Sequence, residues 1–130
     1  MSVSRRRAME QLSATFDEVS PLLQAGLDRG TGEYALDDIK YGVMMGDMQL
    51  WAGMNYAAVT EVINYPQRRV VLVHLAGGEL DALFNADESF MRFVKMVGAT
   101  GIEIIGRKGW SKVLRDRGFD EVAVRLFKEV

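Results

Sequence analysis

The strongest constraint on this chain is a change in the spacing of its apolar residues. Up to about residue 46 they recur every three or four positions, the period of a helix that buries one face. From Met48 to Leu75 they alternate or run unbroken, the pattern of half-buried and fully buried strands. In the first part, Met9, Leu12, Phe16 and Val19 make one stripe over residues 5–19. Ser20-Pro21 resembles an N-cap followed by proline at the first helical position, which predicts a break and a second helix through Leu22, Leu23 and Leu27 to Gly30. A third helix fits 35–46, with Leu36, Ile39 and Val43 facing inward. Asp37 and Asp38 fall in its first turn, where the helix dipole favours acids.

In the second part, 48–54, 56–63 and 69–75 read as strands. Asn64-Tyr-Pro-Gln67 is a turn, so the three make an antiparallel meander. Asn85 and Glu88 have capping-box spacing ahead of a helix lined by Phe90, Phe93, Val94 and Val97 and ended by Gly98. A short strand over 101–106, a helix over 109–117 closed by Gly118, and a last alternating strand over 122–127 complete the chain. The order α, α, α, β, β, β, α, β, α, β predicts one α/β domain over 1–130, a mixed sheet with helices on both faces. Residues 34–130 form its core. Residues 1–30 are N-terminal helices that either pack on it or reach to a neighbour as an arm.

Composition narrows the chemistry. The chain has 130 residues, no Cys and one His, which excludes disulfides, thiol catalysis and Cys- or His-rich metal sites, so no metal is expected. A net charge of −2 speaks against a nucleic-acid partner, although Arg5, Arg6 and Arg7 could touch phosphate or simply be solvated. No run approaches the roughly 18–20 apolar residues of a membrane helix, and the basic start lacks the apolar core of a secretory signal. A cytoplasmic protein that does not enter the membrane is the expectation.

The segments Gly101-Ile-Glu-Ile-Ile105 and Trp110-Ser-Lys-Val-Leu-Arg-Asp-Arg-Gly-Phe119, together with the element order, resemble the N-acetyltransferase fold usually called GNAT. Gln49-Leu-Trp51, Val59-Thr-Glu-Val-Ile63 and Gly106-Arg-Lys-Gly-Trp110 are also similar to GNAT-like proteins encoded by tailed phages. The resemblance implies that coenzyme A is held by a glycine-rich turn after the family's fourth strand, its phosphates on backbone N–H groups. Here that place reads Leu75-Ala-Gly-Gly-Glu-Leu-Asp-Ala82, with Ala76, Gly77 and Gly78 as the cofactor-binding candidates. The stretch has no basic residue, and it brings Glu79 and Asp81 toward a pyrophosphate. The family's tyrosine proton donor falls on Leu114, which cannot donate. Glu61 and His74 are the candidate bases, since imidazole is the side chain that exchanges protons near neutrality. Each has a plainer role as a sheet residue.

The reading that follows is a non-catalytic GNAT-like protein with no cofactor. It would bind a protein partner or its own copies, as an accessory or virion component of a tailed phage in the host cytoplasm or the particle. One alternative is an acetyl-CoA-dependent N-acetyltransferase with an unusual coenzyme A loop, using Glu61 or His74. Another is an anion or nucleotide module built on Arg107, Lys108 and Trp110, whose plainer role is a strand-to-helix turn. Trp51 and the group Met44, Met45, Met48 and Met54 could form a pliable partner surface or fill the core.

Overall fold

The computed structural model describes residues 3–79, 81–85, 89–106 and 108–130. The chain opens with one helix, α1 (Val3–Asp28), where two were expected. Pro21 sits inside it. A proline in a helix interior leaves the carbonyl four residues back without its usual N–H, at about 3 kcal/mol overall. Here the hydroxyl of Ser20 donates to that carbonyl, Asp17 O, at 2.8 Å. Continuity also buries Phe16 before the proline and Leu23 after it. Full burial of each contributes roughly 1.5–3 kcal/mol, so together they offset the proline.

After α1 come α2 (Leu36–Met44), β1 (Gln49–Ala52), β2 (Tyr56–Asn64) and β3 (Arg69–Gly78). Next are α3 (Asp81–Asn85), α4 (Ser89–Met96), β4 (Gly101–Ile104) and α5 (Lys108–Arg115). The sheet runs β1-β2-β3-β4. The first two pairings are antiparallel and β3–β4 is parallel. Helices α1 and α2 cover one face, where Phe16, Leu23, Ile39 and Val43 meet Ala57, Val59 and Leu75. On the other face Phe90 and Val94 of α4 and Leu83 of α3 meet Ala58, Val71, Val73 and Ala76. The expected mixed α/β sheet with helices on both faces is therefore what forms, and α1 packs on the domain.

Three further expectations are corrected. Gly77 and Gly78 do not turn out of the sheet but belong to β3, opposite Ala57 and Tyr56. The first helix after β3 opens at Asp81, not near Asn85, and residues 86–88 of the expected capping box lie outside the described residues. Residues 122–127 form no strand, and their side chains are exposed. An alternating pattern makes a strand only where another strand offers hydrogen bonds, and the chain does not lay this one against its sheet.

Candidate functional site

Two irregularities of β3 coincide. Thr60 of β2 faces Val73 and Val59 faces Leu75, so His74 is an extra residue with no opposite number, a β-bulge. The parallel pairing with β4 ends one residue earlier, at Val73–Ile104. From Leu75 to Gly78, β3 continues beside β2 alone. Strands β3 and β4 thus part at the bulge and leave a wedge in the pairing of the sheet.

His74 lies two residues beyond Leu72, the partner of Glu61 on β2, and so on the same face, with Nε2 2.6 Å from Glu61 Oε1. Both side chains are partly buried, His74 at 11% and Glu61 at 29% exposure. A carboxylate only accepts, so Nε2 carries the proton and Nδ1 of a neutral ring holds the lone pair. Tyr34, just before α2, meets the imidazole edge-on at 5.6 Å between centroids. Its position is set by the start of α2, where the Ala35 N–H donates to Asp38 Oδ2 at 2.8 Å. Beside it, Glu33 accepts from the Thr31 hydroxyl and from Arg125. The Thr31 bond first, then a backbone N–H and the charge of Arg125, hold its carboxyl below the usual range.

Beyond the wedge the chain leaves β3 through Gly78, whose φ of 79° lies in the left-handed region. The Glu79 N–H then donates to Asn55 O at 3.0 Å. Gly77 has a packing reason for being glycine: a Cβ there would lie 2.0 Å from the carbonyl oxygen of Leu22, because α1 presses directly on β3. Asp81 opens α3 and pairs with Arg117 Nε at 3.0 Å. These two, with Lys112, Val113 and Asp116, line a shallow groove of about 570 Å³ between α3 and α5. Of the two acids that faced a pyrophosphate in the sequence, Asp81 is thus met by Arg117.

The other candidates scatter. Arg107 lies outside the described residues. So does the side chain of Lys108, the first residue of α5. Trp110 packs on the α4 face of the core. It also forces Gly106, where a Cβ would come within 2.3 Å of the indole. Leu114 is buried. Trp51 lies between Phe90 and Phe93, and of the methionines Met48 packs into the α1 face while Met45 and Met54 are exposed. Among the described residues no acidic, Cys or His cluster could hold a metal ion, and no helix is long and apolar enough to cross a membrane. Sequence reasoning did not find the bulge, Tyr34 or the Asp81–Arg117 pair.

No family model and no curated protein matches the chain. Solved structures do. An acetyltransferase of Trypanosoma brucei superposes with a TM-score of 0.59 at 9% identity, over 91% of this chain and 94% of that one. A "possible acetyltransferase" of Clostridium difficile gives 0.56 at 8% identity, covering 91% and 92%. A point mutant of a Thermus thermophilus protein gives 0.57 at 17% identity, covering 89% and 92%. The fold is GNAT-like. On this GNAT-like sheet the His74–Glu61 pair stands where β3 and β4 part, and the α3–α5 groove lies beyond the end of β3.

Proposed function

We propose that this protein transfers an acyl group from coenzyme A to an amine, with His74 and Glu61 as its base. The observation that carries the reading is the coincidence of bulge, strand parting and His–Glu pair at one point of the sheet. The wedge suits an acyl thioester because β3 has no β4 partner from Leu75 to Gly78, which leaves one edge of the strand to meet a ligand. Ala76, Gly77 and Gly78 would hold the pantetheine arm through backbone groups, and Lys112 and Arg117 the phosphates. Coenzyme A supplies an activated thioester. Transfer forms a C–N bond, breaks a C–S bond and releases one proton from the amine. His74 Nδ1 takes that proton while Glu61 fixes the tautomer and steadies the cation. A thiolate is a weak enough base to leave without a dedicated acid.

A second reading has one observation in its favour. Leu114, at the place of the family's proton donor, is buried in the core. On that reading the chain is a non-catalytic GNAT-like protein that binds a protein partner. Its assignment to a tailed phage rests on sequence likeness alone, since the similar structures named above come from two bacteria, a clostridium and a Thermus, and from a trypanosome.

Calorimetry with acetyl-CoA and CoA, followed by thiol release against a panel of amines, separates the two. The transferase reading expects saturable binding, and turnover that falls about 10²-fold or more in His74→Gln and Glu61→Gln with CoA binding retained. Absence of binding at millimolar ligand would sink it and leave the partner-binding reading.

A further inference from the structure

The C-terminal segment is the largest apolar feature that the proposed reaction does not use. Val122, Val124 and Leu126 alternate along it and are 82%, 72% and 92% exposed, and Phe127 is 89% exposed. It leaves α5 through Phe119, which packs on Phe84, and returns along the helix so that Glu121 accepts from Ser111 at 3.2 Å. Arg125 then meets Glu33 at 3.1 Å. These are exposed contacts of the weak kind. They hold the segment off the sheet without covering one of its apolar side chains.

The sheet has a matching deficit. Among the described residues nothing pairs with the outer edge of β4. Ile102 and Ile104 of β4, with Trp110, are only partly buried on the α4 face, because the sheet stops there. An open apolar edge of this kind is a template for a further strand. The segment fits it on both faces. With Val122, Val124 and Leu126 beside Ile102 and Ile104, the residues between them turn to the opposite face. Arg125 then falls on the side of Glu103, giving opposite charges across the new pair.

We infer that residues 122–127 pair with β4 of a second copy, and that two chains exchange these segments about a two-fold axis. The chain's own segment bends to Glu33 and leaves its own β4 open, so the occupant comes from the neighbour. Reciprocal exchange closes both β4 edges and buries both apolar arms in one isologous contact. The inference does not depend on acyl transfer, and a failed coenzyme A titration leaves it standing.

Sedimentation and light scattering of the full chain test it. The expected mass is about twice the 14.6 kDa chain, and Val124→Lys with Leu126→Lys shifts it to the monomer with the melting temperature of the core retained. Because the chain has no cysteine, Glu103→Cys and a tagged Arg125→Cys chain can be mixed and treated with a short bismaleimide. A cross-linked species holding one chain of each kind is the expected result. A monomeric wild type, or a dimer that the lysines do not weaken at least tenfold, overturns the exchange. So does cross-linking confined within a chain that carries both cysteines. A dimer broken by the lysines but without the mixed cross-link overturns β4 as the acceptor.

Discussion

Thr60 is the buried polar residue of the core among those described, and its hydroxyl is used twice. It accepts from Trp51 Nε1 and donates to Gln49 Oε1, both at 2.9 Å. Valine has nearly the same shape and can do neither. Thr60→Val leaves the indole N–H and the amide oxygen without that partner, so urea denaturation is expected to show a loss of about 1–3 kcal/mol. An unchanged midpoint would mean that water replaces the hydroxyl. At the outer face, Tyr65 donates to Glu103 Oε2 at 3.2 Å. That bond first, then desolvation and the carboxylate charge, raise the phenol above its usual value. A raised folded-state value means that the contribution is fully present below pH 10 and is lost as pH rises through the folded value. An ultraviolet titration should therefore show one tyrosine ionising late, and Glu103→Gln should bring it back. If the glutamine variant titrates like the wild type, Glu103 is not the cause.

At the scale of elements, the contact between α1 and β3 is the tightest in the molecule that glycine makes possible. Gly77 faces Leu22 O, and Gly26 of the helix faces Ala76 O, where its own Cβ would lie at 2.8 Å. Gly77→Ala must push α1 away from a sheet that already holds Phe16 and Leu23, and calorimetric melting should report a loss of at least about 2 kcal/mol. Gly109→Ala is the control: nothing lies within 4 Å of the added methyl, and the helix gains propensity. Equal behaviour of the two variants would refute the packing account. The same contact explains why α1 survives Pro21. The break that Ser20-Pro21 predicts is a local preference, and a helix whose two halves both bury large side chains on one sheet overrides it. How far the elements were legible follows from this. Helices with one buried face carry their period openly, as α2 and α4 do. Pro21, a local signal opposed by packing, misled.

At the scale of the whole molecule the limit on legibility is physical. In β3, Val70 to Val73 are buried whichever face they point to, so the run has no polar phase that a bulge could be seen to shift. Glu61 and His74 were candidates by residue type. Their pairing depends on the register that sets Leu72 opposite Glu61, which is fixed only when β2 is laid beside β3. The carboxylate that balances Arg117 lies 36 positions away in the chain, and no spacing rule connects the two. The amino-acid sequence by itself determined the kinds and order of most elements, the mixed α/β class and the exclusion of thiol and cysteine-metal chemistry. Those depend on local period, turn residues and composition. The tertiary structure alone decided that α1 is continuous, that β3 and β4 part at His74, and that residues 122–127 stay off their own sheet. Each of these is an outcome of pairing between distant segments, and the hydrogen bonds and buried area that settle it belong to no single stretch of chain.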